Sequence, residues 1–258
     1  MELKTVATPH VPVRYLEGGS GPALMLLHGA GGITAEDPFL NALAEHYHVY
    51  APLLPGYGDS EECNELRDML DITLHYWDVV DALGLKDPVL VGQSMGGMIA
   101  AEMAAIAPHQ VSRLGLICPA GLWLDDHPIA DIFATLPFEM PALLFHDAAA
   151  GAAMMTAGRS VEDPGFLQAY LVQNARQLGM AGRILFPIPD RGLGQRLYRI
   201  KAKTILVWGD SDKLIPPVYA QAFKAKIAGA QLVSIPEAGH MVALEKTRET
   251  VAAIQRLG

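Results

Sequence analysis

Short runs of apolar residues recur along the chain, and each is closed by glycine or proline. The runs occupy residues 23–27, 47–53, 88–91, 114–118, 204–208 and 231–235. Continuous apolar runs of this length are typical of strands buried on both faces, which is the environment of a parallel sheet covered by helices. The pattern therefore predicts a sheet at the centre of the fold.

Helical patterns lie between the predicted strands. They occupy residues 38–46, 66–83, 95–107, 217–228 and 244–257. Strands that alternate with helices imply right-handed crossovers and one doubly wound α/β sheet. The chain opens differently, because residues 2–17 alternate polar and apolar side chains and lead into Gly18-Gly19-Ser20-Gly21. This alternation predicts a hairpin-like start.

One region, from Gly121 to Gly194, breaks this rhythm. It has no clean strand pattern, and its helical segments, rich in alanine, methionine, phenylalanine and leucine, are interrupted by prolines. An insertion of this kind between two sheet strands predicts a helical cap. A chain of 258 residues is long enough for one α/β unit. We therefore predict a core formed by residues 1–120 and 195–258, with residues 121–194 as the cap.

The charge and composition disfavour several classes of function. The net charge is -9 without any block of lysine or arginine, whereas a nucleic-acid binder carries a basic stripe to neutralise phosphates. The longest apolar stretch, near residues 95–107, contains Glu102 and is too short to span a bilayer. The first residues lack the apolar segment of a secretory signal. We expect a cytoplasmic monomer or homodimer that binds a small molecule, and neither nucleic acid nor membrane.

The chain has two cysteines, Cys63 and Cys118, which are too few for a disulfide framework. We expect both to be free thiols, with Cys118 buried beside Leu116 and Ile117. A core of ordinary size needs neither disulfides nor a structural metal to hold it.

The strongest chemical signal is Gly92-Gln93-Ser94-Met95-Gly96, which lies between a predicted buried strand and a long predicted helix. This strand–turn–helix setting is what a nucleophile elbow requires. Glycine is expected at positions 92 and 96 because a side chain there would collide with backbone in so tight a turn. Ser94 would then stand at the N-terminus of the helix, where amides and the helix dipole favour a developing oxyanion.

A serine hydroxyl needs a base within hydrogen-bond reach, and that base is expected on a loop after the last strand. Ala238-Gly239-His240-Met241 has this position, so His240 is the predicted general base. The other eight histidines are interpreted as surface or satisfied core residues. Gly239 is expected to leave room for the imidazole to approach the elbow.

The carboxylate that orients the imidazole is expected within residues 208–213, Trp-Gly-Asp-Ser-Asp-Lys, at the end of a predicted strand. Asp212 is favoured over Asp210, because Asp210 directly follows the glycine of the turn and is expected to brace that loop. A separation of two residues leaves both open from the sequence. Asp125 or Asp126, after the preceding strand, is a distant third alternative.

An oxyanion hole needs two backbone amides. One is expected from Met95, the residue after the nucleophile. The other is expected from the glycine-rich loop at residues 28–32, with Ala30 favoured and Gly31 as the alternative. Small residues in this loop would let a substrate lie against the backbone.

With these residues in place, the chain resembles the α/β-hydrolase superfamily over nearly its whole length. The motifs occur in the family's order of nucleophile, acid and histidine. They are His28-Gly29-Ala30-Gly31, Pro55-Gly56-Tyr57-Gly58-Asp59-Ser60, Gly92-Gln93-Ser94-Met95-Gly96-Gly97, Trp208-Gly209 with Asp212, and Gly239-His240. The resemblance implies an eight-stranded, mostly parallel sheet flanked by helices, a helical cap over the site, no metal and no organic cofactor.

Within the superfamily, the pattern looks most like the small-molecule branch of esterases, enol-lactonases and the carbon–carbon hydrolases of aromatic ring cleavage. The run Ser94-Met95-Gly96-Gly97 is common among the carbon–carbon hydrolases, which tend to carry an aromatic residue where this chain has Met241. The resemblance therefore implies a serine hydrolase that cleaves a carboxylic ester or lactone of a small to medium apolar substrate through an acyl-enzyme. Hydrolysis of a vinylogous diketone acid stays open, as does a ligand receptor or binding module on a hydrolase scaffold.

The predicted cap is rich in bulky apolar side chains, which suit a pocket for an acyl or aryl group. The predicted pocket residues are Gly29, Gly31, Trp123, Phe133, Phe138, Met154 and Met241. For any single cap residue, packing between cap helices is the favoured interpretation. Arg159, Arg183 and Arg191 are candidates for binding a substrate carboxylate, although surface solvation is favoured for each.

Overall fold

The computed structural model describes residues 1–187 and 190–258. Its centre is a mixed sheet of eight strands in the order β1-β2-β4-β3-β5-β6-β7-β8. The strands are β1 (Glu2–Val6), β2 (Val13–Gly18), β3 (Ala23–Leu27), β4 (His48–Pro52), β5 (Val89–Gln93), β6 (Arg113–Ile117), β7 (Lys203–Gly209) and β8 (Gln231–Ile235). All six predicted apolar runs are strands.

The strand directions follow from the residue patterns. Strands β3 to β8 run parallel to one another, and the apolar runs of β3, β5, β6 and β7 are buried, as predicted for a sheet covered on both faces. The run in β8 corrects this prediction, because β8 is an edge strand and only its Ile235 is buried. Strand β2 is antiparallel to both β1 and β4. The alternation in residues 2–17 is therefore the antiparallel pair β1–β2, which confirms the predicted hairpin-like start.

Helices flank this sheet. They are α1 (Pro38–Leu43), α2 (Met69–Ala82), α3 (Met95–Ile106), α4 (Met140–Leu144), α5 (Ala148–Met155), α6 (Pro164–Leu185), α7 (Val218–Lys226), α8 (Val242–Glu245) and α9 (Thr247–Gln255). In the α/β core, α1 packs against α9, and α2 packs against α3. The parallel strands end at one edge of the sheet, and the loops that follow β3, β5, β7 and β8 meet there.

Several helix boundaries differ from their predictions, and two of these differences have local reasons. Helix α2 begins at Met69 because the Asp68 side chain accepts hydrogen bonds from the first free amides of the helix. The helix predicted over residues 244–257 is divided, because Lys246 has non-helical φ and ψ angles of -133° and 57°. Its apolar period continues across this break, so the sequence pattern does not reveal it.

Helices α4, α5 and α6 lie between β6 and β7, and the described residues of the predicted cap contain no strand. Helices α4 and α6 contact loops at the edge of the sheet where the parallel strands end. The Leu144 carbonyl accepts a hydrogen bond of 3.0 Å from the Met241 amide, and Met180 of α6 packs over Gly56. Residues 188 and 189 lie outside the described residues, and the boundaries of a cap at 121 and 194 stay a prediction.

Both cysteines are free thiols, as expected from their number, and Cys118 is buried as expected. Cys63 is buried too. Among the helices of the described residues, none combines the length and the apolar composition that crossing a membrane requires.

Candidate active site

Ser94 occupies the single residue between the end of β5 and the start of α3. Its backbone has φ 53° and ψ -117°, a conformation that costs a non-glycine residue about 1–3 kcal/mol. The turn is held from β6 and the segment after it. The Ser94 amide donates to the Ile117 carbonyl at 2.9 Å, and the Ser94 carbonyl accepts from the Ala120 amide at 3.0 Å. This strained turn carries the hydroxyl out of the sheet edge.

The glycines around Ser94 are there because backbone passes too close for a side chain. A Cβ atom at Gly92 would lie 2.2 Å from the Gly96 carbonyl oxygen. A Cβ atom at Gly96 would lie 2.1 Å from the Leu27 carbonyl oxygen. The predicted reason for glycine at both positions is therefore correct, and Gly96 also lets the elbow sit against the end of β3.

His240 lies between Ser94 and Asp212. Its Nε2 atom is 2.9 Å from Ser94 Oγ, and its Nδ1 atom is 2.9 Å from Asp212 Oδ2. Because the carboxylate can only accept, Nδ1 carries the proton, and Nε2 is then free to accept the proton of Ser94 Oγ–H. His240 and Asp212 are both buried, so water does not compete for their hydrogen bond.

The structure brings Asp212, and not Asp210, to the imidazole. The second oxygen of Asp212, Oδ1, accepts hydrogen bonds from the Leu214 amide at 3.0 Å and the Ile215 amide at 2.8 Å. Asp210 is exposed and accepts a hydrogen bond from the Ser211 hydroxyl within its own loop. Asp125 and Asp126 are also exposed. The three bonds to Asp212 fix its carboxylate in one orientation.

Gly239 was expected to make room for the His240 imidazole, but the structure gives a different reason for glycine at this position. A Cβ atom at Gly239 would lie 2.6 Å from the Leu144 carbonyl oxygen of α4. A Cβ atom at Gly209 would lie 2.3 Å from the Gly239 carbonyl oxygen. The space is therefore needed for the backbone of α4 on one side and the end of β7 on the other.

The loop after β3 lies beside Ser94. A Cβ atom placed on Gly29 of this loop would be only 3.4 Å from Ser94 Cβ. Among the described residues, neither the Ala30 amide nor the Met95 amide has an intramolecular acceptor. These are the two amides predicted for an oxyanion hole. Free amides beside a nucleophile are what such a hole requires.

His28 fixes the loop after β3 through two hydrogen bonds of its ring, a role that the sequence did not reveal. Its Nε2 atom accepts a hydrogen bond of 3.1 Å from the Leu54 amide, so Nδ1 carries the proton and donates to the Gly29 carbonyl at 2.8 Å. Burial lowers the pKa of His28 to about 4, although the bond to Gly29 opposes this shift. His28 is therefore neutral at pH 7, with one tautomer fixed by its partners.

Glu245 is a second supporting residue that the sequence patterns do not single out. Its Oε2 atom accepts a hydrogen bond of 2.7 Å from the Gly239 amide, and Oε1 accepts one of 2.8 Å from the His146 amide. One carboxylate thus joins the His240 loop to the chain that follows α4. Its signal in the sequence is weak, since an acidic residue on a terminal helix is usually solvated.

Cys118 lies directly behind the acid and the histidine. One ligand atom each from Cys118, Asp212 and His240 lies within 4.8 Å of the others, the closest approach to a metal-ligand cluster among the described residues. Burial, and next the nearby Asp212 charge, raise the pKa of the Cys118 thiol well above its usual value. The sulfur is therefore protonated at neutral pH, and the other two side chains already bond to each other, which is a poor fit to a metal site.

An apolar cavity of about 50 Å³ opens beside Ser94. Apart from Ser94 itself, Arg191 is its polar lining residue. The apolar residues that line it are Met98, Ala120, Gly121, Leu122, Ile129, Ala130, Ile132, Phe133, Ile184, Leu185, Leu214 and Ile215. An apolar cavity next to the Ser94 hydroxyl is a candidate pocket for part of a substrate.

Of the predicted pocket residues, the structure places Phe133 at this cavity and Gly29 beside Ser94. Trp123, Phe138 and Met154 do not line the cavity, which corrects the prediction for them. Phe138 and Met154 have 77% and 47% of their surface exposed. Gly31 lies in the loop beside Ser94. The sulfur of Met241 contacts the Gln93 side chain at 3.8 Å, next to the elbow.

The sequence is similar to those of several named proteins over most of its length. It is 28% identical over 95% of its length to the "Dihydrolipoyllysine-residue acetyltransferase component of acetoin cleaving system" of Cupriavidus necator, and it spans 66% of that relative's length. It is 29% identical over 92% of its length to "Lipase 1" of Psychrobacter immobilis, of which it spans 77%. It is also 28% identical over 92% of its length to the "2-hydroxy-6-oxo-6-phenylhexa-2,4-dienoate hydrolase" of Comamonas testosteroni, of which it spans 87%.

The fold has close counterparts among solved structures. The naproxen esterase of Bacillus subtilis superposes with a TM-score of 0.76, covering 99% of this chain and 90% of the esterase, at 19% identity. That likeness concerns the fold alone. In sequence, a model of the family described as "Alpha/beta hydrolase family" matches residues 24–254, which include every residue of the site built above. The chain therefore belongs to the alpha/beta hydrolase family.

Proposed function

We propose that the chain is a serine hydrolase that cleaves a carboxylic ester or lactone of a small apolar substrate. The observation that carries this proposal is the continuous hydrogen-bonded chain from Ser94 Oγ through the His240 imidazole to Asp212, with 2.9 Å at each step. Such a chain lowers the cost of deprotonating a serine hydroxyl, which is otherwise a poor nucleophile at neutral pH. The related lipase from Psychrobacter immobilis is consistent with ester chemistry.

In the proposed mechanism, Ser94 Oγ attacks the acyl carbonyl carbon while His240 Nε2 takes its proton. The tetrahedral oxyanion binds the amides of Ala30 and Met95. His240 then gives its proton to the leaving alkoxide, which leaves an acyl-enzyme. A water molecule activated by His240 attacks the acyl carbon and releases the acid. Asp212 stays ionised and stabilises the imidazolium at each step.

The cavity beside Ser94 limits the size of the group that enters it. A volume of about 50 Å³ holds only a few water-sized units, so it favours a short acyl chain. Its lining is mostly apolar, which favours an aliphatic or aryl group over a polar one.

The first prediction concerns the nucleophile and the substrate size. The protein should hydrolyse p-nitrophenyl acetate or butyrate faster than the decanoate ester, because the longer chain exceeds the cavity. Ser94→Ala should lower kcat by about 10⁶-fold, the scale seen when the serine of a triad is removed. Release of p-nitrophenolate measures both effects, and circular dichroism establishes that the variant is folded.

A Ser94→Ala variant that hydrolyses the ester as fast as the wild-type protein would contradict the proposed mechanism. Negligible ester turnover by the wild-type protein, together with a shift in melting temperature on adding a ligand, would favour a receptor on a hydrolase scaffold instead.

The second prediction separates the two aspartates. Asp212→Asn should lower kcat by about 10⁴-fold, because an amide at this position no longer selects the imidazole tautomer that accepts the serine proton. Asp210→Asn is the matched control, two residues away on the same loop, and its kcat should stay close to that of the wild-type protein. Initial rates with p-nitrophenyl butyrate measure both. A larger loss in Asp210→Asn than in Asp212→Asn would reverse the assignment.

A second candidate function, hydrolysis of a carbon–carbon bond in a vinylogous diketone acid, is favoured by Arg191. Arg191 lines the cavity that opens on Ser94, and its Nη2 atom donates to the Phe186 carbonyl. Within residues 1–187 and 190–258, its buried Nε atom has no hydrogen-bond partner, and its side chain forms no ion pair. A cation in an apolar cavity suits a substrate carboxylate. The hydrolase from Comamonas testosteroni, whose name is that of a dienoate hydrolase, is consistent with this alternative.

The third prediction distinguishes these two substrates. If the substrate is a diketone acid, Arg191→Gln should raise its KM at least about tenfold, since a charge-assisted hydrogen bond contributes about 1.5–3 kcal/mol. The initial rate at which the coloured diketone acid loses its absorbance, followed over a range of substrate concentrations, measures this KM. Arg159→Gln is the control, because Arg159 stacks on Phe166 away from the cavity. No bleaching at saturating enzyme would exclude the carbon–carbon reaction.

A further inference from the structure

The two peptide units of the loop beside Ser94 are held in different ways. The Gly29–Ala30 peptide carries the Ala30 amide, and its carbonyl accepts two hydrogen bonds, from His28 Nδ1 at 2.8 Å and from the Gly32 amide at 3.1 Å. This unit is fixed by the core and by its own turn.

The next unit, the Ala30–Gly31 peptide, depends on one side chain. The Ala30 carbonyl lies 3.1 Å from Tyr57 Oη, and no other donor in the described part of the chain reaches it. A Cβ atom on Gly31 would meet nothing within 4 Å, so packing does not restrain this peptide. The Gly31 amide belongs to the same unit. Its direction therefore depends on the bond from Tyr57 to Ala30.

Tyr57 also contacts the helix that covers the site. Its hydroxyl lies 3.1 Å from the Gln177 carbonyl of α6, as close as it is to Ala30. A phenol has one proton, so it shares that proton between two acceptors. Burial raises the pKa of Tyr57, which keeps the proton in place. The Gln177 carbonyl already accepts a bond within α6, whereas the Ala30 carbonyl has Tyr57 alone.

Helix α6 also contacts the loop after β3 directly, in addition to the contact through the Tyr57 hydroxyl. A Cβ atom on Gly32 would lie 3.0 Å from Gln177 Nε2 and 3.2 Å from Tyr57 Cδ1. The Tyr57 ring also packs on the His28 ring, with 4.6 Å between centroids. A displacement of α6 therefore changes how the single phenolic proton is shared.

From these contacts we propose that Tyr57 is a positioning residue that sets the Ala30–Gly31 peptide and makes its orientation depend on the seating of α6. The bond from Tyr57 keeps this peptide, and with it the loop that presents the Ala30 amide, in one orientation. Because Gln177 shares the phenolic proton, the strength of that bond depends on the position of α6. This inference rests on the proposed function, because it concerns the loop that would stabilise the oxyanion.

The experiment compares Tyr57→Phe with the wild-type protein on p-nitrophenyl butyrate. The ring and its packing remain, and only the hydroxyl is lost. We expect kcat to fall about tenfold with KM within about twofold, as for the loss of one hydrogen bond that acts on the transition state. Binding of a trifluoromethyl ketone, which forms a tetrahedral adduct with serine, should weaken by the same factor. The pH profile of kcat/KM should not move, since His240 keeps its partners.

Tyr219→Phe is the matched control. The Tyr219 hydroxyl is also buried between two backbone groups, accepting from the Leu124 amide at 2.9 Å and donating to the His127 carbonyl at 2.8 Å, but it does not touch the loop beside Ser94. It should lower the melting temperature without lowering kcat. If both variants lose kcat in proportion to their loss of stability, Tyr57 is only structural and the proposal is wrong.

The dependence on α6 has its own test. Met180→Ala removes the side chain with which α6 packs over Gly56. If Tyr57 transmits the seating of α6, Met180→Ala should change kcat in the wild-type background and have little further effect in Tyr57→Phe. Additive effects would overturn the coupling. An active Ser94→Ala would instead overturn the proposed function, so the two failures are distinguishable.

Discussion

The site depends on one backbone constraint, the forced bend at Ser94. A serine with φ 53° is held there because its amide and carbonyl are both bonded to the chain that leaves β6. The cost of about 1–3 kcal/mol is small beside the burial of a core of this size, so the sheet can maintain it. The result is a hydroxyl that projects from the sheet edge at the N-terminus of a helix, which no relaxed strand-to-helix connection would provide.

The bend at Ser94 forms part of a site only because other backbone segments approach it closely. Gly96 admits the end of β3, and Gly209 and Gly239 admit each other and the backbone of α4. Each contact is too short for a Cβ atom, so these glycines determine how near the loops after β3, β7 and β8 can come to one another. Side-chain hydrogen bonds then fix the loops in place: His28 donates to the Gly29 carbonyl of the loop after β3, and Glu245 accepts from the Gly239 amide beside His240.

Much of this could be predicted from the sequence, and the residues explain why. The apolar runs predicted the strands because burial on both faces demands continuous apolar residues, and Gly92 and Gly96 marked the elbow because only glycine fits there. The choice between Asp212 and Asp210 was open, since it depends on amides at residues 214 and 215 that fold back onto the acid. The outward orientation of Phe138 and Met154, and the supporting contacts of Tyr57 and Glu245, depend on tertiary packing that has no periodic signal.

Covalent labelling of the folded protein with an aryl alkylphosphonate, followed by intact mass measurement and peptide mapping, tests whether His240 activates Ser94. One adduct per chain is expected, on Ser94, with a labelling rate that falls by orders of magnitude in His240→Ala, because the imidazole takes the proton of that hydroxyl. An adduct on another residue, or equal labelling of Ser94 with and without His240, would contradict the activation of Ser94 by His240.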